Sequence, residues 1–229
     1  MKILAVDTCL SVASVAVAEE DKLLGLFYIN NGLTHSTKLI PMIESVLTEL
    51  DLTAKDIDAF ACTNGPGSFT GIRIGMATAK GLAFPGEKLI VTVSSLAATA
   101  YHFALQPLPV IAMTDARNSQ VFYGKYQFIG GKFSELIKPD ASDVSAISAG
   151  ITSPTIVCGD GAVKYAEILK QNPNIIFAPA HQSMPNAATL VAAAFDEIKT
   201  NGFPAAETID ALYVRKSSAE QEKERMNKK

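Results

Sequence analysis

The feature that most constrains this chain is that one order of apolar runs occurs twice. Residues 3–8, 12–18 and 23–29 read as three strands, each bounded by polar residues. A helix is expected over 35–50, where Leu39, Ile40, Ile43, Val46, Leu47 and Leu50 recur at three- and four-residue spacings and so mark a buried face. Pro41 either lies near the first turn of that helix or kinks it. A strand at 59–63, a helix at 70–84, a strand at 89–93 and a helix at 95–103 complete the half. The second half repeats the order: strands at 109–114, 121–128 and 132–137, a helix at 143–149, a strand at 155–158, a helix at 162–171, a strand at 174–177 and a helix at 187–200. Asp7 and Asp115 stand where the first strand of each half meets its turn, and Gly65 and Gly159 follow each fourth strand. The expected fold is therefore α/β, with two similar lobes, 1–106 and 107–216, each a mixed sheet with helices, meeting across a cleft. A charged tail, 217–229, follows and is expected to remain solvated.

With 229 residues, 48% hydrophobic and 19% charged, the chain can fill a core in both lobes. The apolar run that opens the chain is cut short by Asp7, well before a signal or membrane segment is complete, so the expected compartment is the cytoplasm. Net charge is −3, but 215–229 holds six basic and three acidic residues, which leaves −6 on the rest. Phosphate backbones are held mainly by Lys and Arg, so that body is poorly suited to bind nucleic acid directly.

Chemistry has few carriers. Cys9, Cys62 and Cys158 lie in or beside apolar runs with no close pair, and read as buried thiols. His35, His102 and His181 are scattered without ligand spacing, so no metal site is expected. No nucleophile elbow is present, because Ser68 is followed by Phe69 and Thr70. The most unusual segment runs from Asn64 to Gly75, Asn-Gly-Pro-Gly-Ser-Phe-Thr-Gly-Ile-Arg-Ile-Gly, between a strand and a helix. Gly65 and Gly67 permit close backbone approach, and Ser68 or Thr70 can cap the helix. The turn is either an anion site made by helix-terminal amides or a tight strand-to-helix connection. Asp7 and Thr8, with Gly159, Asp160 and Gly161 in the other lobe, either hold phosphate and a metal-bound water or simply form turns. In the helix after the turn, Gly71, Gly75 and Ala79 fall on one line, Ala77 and Gly81 on another. Each glycine costs roughly 1 kcal/mol of helix propensity, so close packing must reward it, either inside the chain or against a partner.

Four stretches carry a family resemblance: Leu4 to Thr8, Leu33-Thr34-His35-Ser36, the whole 64–75 run, and Leu212-Tyr213-Val214-Arg215. Together they resemble the TsaB (YeaZ) family of bacterial accessory proteins in tRNA threonylcarbamoyladenosine biosynthesis. The resemblance implies the duplicated, ribonuclease H-like fold of actin, Hsp70 and sugar kinases. It also implies a non-catalytic subunit that pairs, through N-lobe helices, with the catalytic relative TsaD, joined by the P-loop ATPase TsaE. A homodimer is implied when the chain is alone, with tRNA contact weak or indirect and no cofactor of its own. TsaD uses a metal held partly by His-x-x-x-His; Ser95 and Thr99 stand at the corresponding places here. Cys9 replaces the serine of many relatives. The expected partner-facing residues are His35, Leu39, Met42, Ile43 and Val46 in the first helix, and Gly71, Ile72, Gly75, Met76 and Ala79 in the second. The competing reading is an ATP-dependent small-molecule kinase of the same fold.

Overall fold

A computed structural model describes residues 1–20, 22–32, 35–202, 210–212 and 214; the expected tail, 217–229, lies outside them. Two five-stranded sheets have the same topology. The first contains β1 (Lys2–Asp7), β2 (Ala13–Glu19), β3 (Lys22–Ile29), β4 (Ala59–Gly65) and β5 (Leu89–Ser94), in the order β3-β2-β1-β4-β5. The second contains β6 (Val110–Asp115), β7 (Gln120–Ile129), β8 (Lys132–Asp143), β9 (Thr155–Cys158) and β10 (Ile175–Phe177), in the order β10-β9-β6-β7-β8. In both, the first three strands are antiparallel neighbours and the last two run parallel to the first. The fold is thus the duplicated one that the repeated order predicts, with the ribonuclease H-like topology that the family resemblance implies. β1 and β4 are central and covered on both faces, which is why Ile3–Val6 and Ala59–Cys62 are continuously apolar rather than alternating.

The helices are α1 (His35–Glu49), α2 (Phe69–Ala83), α3 (Ser95–Ala100), α4 (Val144–Gly150), α5 (Asp160–Lys164), α6 (Ala166–Leu169), α7 (Ala180–Ser183) and α8 (Ala187–Asn201). They make five layers with the sheets. α1 and α2 cover the outer face of the first sheet, α3 and α8 fill the space between sheets, and α4 to α6 cover the outer face of the second. The middle layer crosses the halves: α8, from the second half, lies on β1 and β2, while α3, from the first, reaches β6 and β7. Asn186 starts α8 by accepting the amides of Ala188 and Thr189 at 2.9 and 3.0 Å.

Three departures from the sequence reading have local causes. Residues 162–171 form not one helix but α5 and α6, broken at Tyr165 (φ −105°, ψ 26°), whose hydroxyl donates to Asp115. β8 runs on to Asp143 past Pro139, because it is an edge strand and its register skips Lys138 and Pro139. α7 was not expected; four residues are too few to show a helical period. Pro41 lies inside α1, which continues beyond it. Among the described residues no helix is long and apolar enough to cross a membrane.

The middle layer also carries polar ties between the halves. Tyr101 donates its hydroxyl to Asp196 at 3.1 Å, Ala187 donates its amide to Ser14 at 2.8 Å, and His102 Nε2 lies 3.0 Å from the Met184 carbonyl. Burial holds the His102 imidazole below its usual pKa, with the Met184 carbonyl opposing and His181 adding to the shift. The unfolded chain therefore takes up this proton at higher pH than the folded one. The stability so contributed is present above about pH 6.5 and is lost as pH falls toward the folded-state value. The melting temperature should fall between pH 7 and pH 5, and His102→Gln should shrink that fall. An equal fall in the variant would exclude His102 as the cause.

Candidate functional site

The Gly-rich turn closes over the end of β1. Ser68 donates its amide to the Cys9 carbonyl at 2.7 Å and caps α2 by accepting the Gly71 amide at 3.2 Å. Thr8 in turn donates its hydroxyl to the Gly71 carbonyl at 2.7 Å. A Cβ built on Gly67 would run into the Cys9 carbonyl, and one on Gly71 into the Thr8 carbonyl, both inside contact distance; one on Gly75 would stand 2.8 Å from the Thr8 hydroxyl. The line of small residues is therefore explained within the chain: it lets α2 lie directly on the β1 turn.

Beneath this lid Asp7 and Thr8 are each only 1% exposed. Asp7 Oδ1 accepts from the Cys9 amide at 3.0 Å and from the Thr63 hydroxyl at 2.9 Å, while Oδ2 is buried without a partner. Burial pushes the Cys9 thiol well up from its ordinary pKa, and the Asp7 charge adds to it; burial, against the opposing pull of Lys80, takes Cys62 up to about 12. These thiols are protonated and poor nucleophiles at neutral pH. Of the residues expected to contact phosphate, Asp7, Thr8, Gly65, Gly67 and Ser68 lie together where the turn packs on the end of β1, and the amides of Ser68 and Gly71 already have acceptors within the chain.

In the second lobe Gly159 (φ 95°) and Gly161 pack α5 onto Met113 and Val121. Thr114 donates to Asp160 Oδ1 at 2.6 Å, and burial raises the Asp160 pKa despite that bond. Asp115 is paired with Lys164, Tyr165 and the Arg117 amide; these bonds outweigh the upward pull of burial and hold its pKa low. The Asp7 group and the Gly159–Gly161 group thus each draw hydrogen bonds and packing contacts from their own lobe. Thr63, Lys164 and Tyr165 were missed from the sequence; only the placement of Asp7 and Asp115 at equivalent strand ends hinted that each needs partners.

Ser95 and Thr99, at the positions where the resemblance would put metal-binding histidines, are 2% and 3% exposed. Ser95 donates to the Pro66 carbonyl at 2.5 Å and Thr99 to the Ser95 carbonyl at 2.7 Å. Hydroxyls turned to backbone carbonyls do not fit a transition-metal site. Among the described residues no group of three or more His, Cys, Asp or Glu side chains is placed to hold a metal.

The expected partner-facing side chains are also placed differently. Leu39, Met42, Ile43, Val46, Gly71, Ile72, Gly75, Met76 and Ala79 are buried in the outer core of the first lobe; His35 is half-buried, its Nε2 2.6 Å from the Leu10 carbonyl. Their apolar spacing reports the sheet they cover. The adjoining helices α1 and α2 leave other residues to solvent: Ile40, Pro41 and Glu44 on α1, and Thr70, Arg73, Ala77, Gly81 and, just past its end, Phe84 on α2. Arg73 stacks over the Phe69 ring at 3.7 Å, and nothing lies within 4 Å of a Cβ on Gly81.

Comparison with known proteins bears directly on this architecture. TsaB of Bacillus subtilis (strain 168), a tRNA threonylcarbamoyladenosine biosynthesis protein, is 35% identical over 143 residues, 61% of each chain. TsaB of Escherichia coli (strain K12) is 27% identical over 96% of each. Two Pseudomonas aeruginosa structures, one described as YeaZ and one as an uncharacterized protein similar to peptidase YEAZ, superpose with TM-scores of 0.77 and 0.81; each is 28% identical, covering 93% of this chain and 99% of theirs. The family model of TsaD, tRNA N6-adenosine threonylcarbamoyltransferase, matches residues 32–223. Since that match takes in the greater part of both lobes, the chain belongs to the TsaD family, and relatives matching nearly its whole length are TsaB proteins.

Proposed function

We propose that this chain is a non-catalytic subunit in the biosynthesis of threonylcarbamoyladenosine in tRNA, pairing in the cytoplasm with a TsaD-type catalytic subunit. The observation that carries the reading is the β5–α3 junction: a TsaD-family fold in which the two positions for metal-binding imidazoles hold buried, internally bonded Ser95 and Thr99. Without those ligands the chain supports chemistry done elsewhere. The names of its relatives support the pathway.

The partner surface is the outward side of α1 and α2, centred on Ala77 and Gly81. Among the described residues nothing stands near enough to Gly81 to justify a helix-weakening residue, and a smooth Ala-Gly surface admits a partner helix at close range. A TsaE-type ATPase joins the pair, and a second copy of this chain takes the same helices when the catalytic subunit is absent. Contact with tRNA is indirect, in keeping with the −6 charge outside 215–229. Mixing the pure protein with the TsaD-type subunit of the same cell should give a stable heterodimer on size-exclusion chromatography; two separate peaks at micromolar concentration would remove this reading.

The kinase alternative draws little support, since Asp7, its candidate catalytic carboxylate, lies under the Gly-rich turn. The isolated protein should show no ATP turnover above background. Turnover that disappears in Asp7→Ala would restore the kinase reading.

A further inference from the structure

β4 has an irregularity at its C-terminal end. Its register with β5 runs in step as far as Thr63 and resumes at Gly65, passing over Asn64. A buried backbone carbonyl left out of a ladder needs another donor. Here the donor comes from far along the chain: the Leu212 amide bonds the Asn64 carbonyl at 2.7 Å. Ala211 packs against the outer core of the first lobe, to which α1 and α2 contribute. A Cβ on Gly65 (φ 109°) would meet the Leu212 carbonyl at 3.0 Å on one side and Ile72 of α2 at 2.9 Å on the other. Gly65 is thus clasped between the C-terminal segment and the first turn of α2.

We infer that residues 210–212 are a strap that fixes the Gly65–Ser68 turn and, through it, sets the position of α2. The segment completes the one step of β4 that β5 does not register, and its backbone leaves no space for a side chain at Gly65. Since α2 begins at Phe69, directly after the turn, any event that lifts the strap loosens the helix start. Residues 210–212 are thereby tied to the surface assigned above to the catalytic subunit. That last link rests on the proposed partner reading; the strap itself does not.

Hydrogen exchange on the full chain, without partner, separates the two. Leu212→Pro removes the donor, and Ala211→Asp lifts the segment by placing a charge against the apolar core. Both should speed exchange at the Ser68, Gly71 and Ile72 amides by roughly tenfold or more, while β6 and β9 keep their protection. Unchanged exchange at those three amides, in either variant with β6 and β9 intact, overturns the strap. Loss of protection across both sheets in both variants overturns it too, since the segment would then serve the whole fold. The affinity for a TsaD-type subunit is measured alongside. Faster turn exchange with weaker binding supports both inferences; faster exchange with unchanged binding supports the strap and removes the partner surface from α2.

Discussion

Gly71→Ala should lower the melting temperature of the free protein by roughly 6–12 °C, taking about 3 kcal/mol for severe overpacking and about 2–4 °C per kcal/mol for a chain of this size. The added methyl meets not a mobile side chain but the Thr8 backbone carbonyl, at the end of a central strand with neighbours on both sides. Thr8 cannot yield easily, because its hydroxyl donates to the Gly71 carbonyl and its neighbour Asp7 is held by Thr63 and the Cys9 amide. Relief would require α2 to lift from β1, which opens the outer core around Leu4, Val6, Ile72 and Met76. Gly75→Leu should act in the same direction, since its side chain would enter at the Thr8 hydroxyl rather than point to solvent. Differential scanning calorimetry checks both variants. A melting temperature within 2 °C of the parent in Gly71→Ala, about what 1 kcal/mol produces, would mean that α2 does not lie on β1 as described.

Gly81→Leu should do the opposite to the free protein and harm the complex. Its position on α2 is exposed and open, so replacing glycine gains helix propensity, up to about 1 kcal/mol, and the melting temperature, measured dilute enough to keep the free chain monomeric, should hold or rise by a few degrees. Against a closely packed partner helix the same side chain overpacks by about 1–3 kcal/mol, weakening association roughly tenfold to a hundredfold. A stabilised monomer with an impaired complex is an outcome that general damage to the fold cannot produce. Titration calorimetry with the TsaD-type subunit gives the affinity. Binding as tight as the parent's would move the interface off this face of α2.

Much of the architecture is legible in the residues. Strand and helix periods place α1, α2 and α8 within a residue or two of their observed ends, and the repeated order implies two sheets of one topology. That Ser95 and Thr99 stand in place of imidazoles follows only from the family resemblance. Short elements are not legible: α7 is too short to show a period, the break at Tyr165 accompanies a single side-chain bond to Asp115, and the course of β8 past Pro139 depends on its being an edge strand. The candidate site is legible only in part, because residue types identify groups able to act without saying which are already satisfied. Asp115 gives no sign of its partners until Lys164, Tyr165 and the Arg117 amide are found around it.

The sequence by itself determined the duplicated α/β order and the limits of the long helices, because these follow from local periodicity and chemical identity. Only the tertiary structure decided which way α2 faces. A helical period finds two lines of small residues, Gly71-Gly75-Ala79 and Ala77-Gly81, but is the same whichever line meets the sheet. The choice was made by contacts across large chain separations: Thr8 against Gly71 and Gly75 turns the first line inward and leaves the second to solvent. The same holds for the tie from Leu212 to Asn64, since a backbone amide carries no sequence signal of the carbonyl it will find.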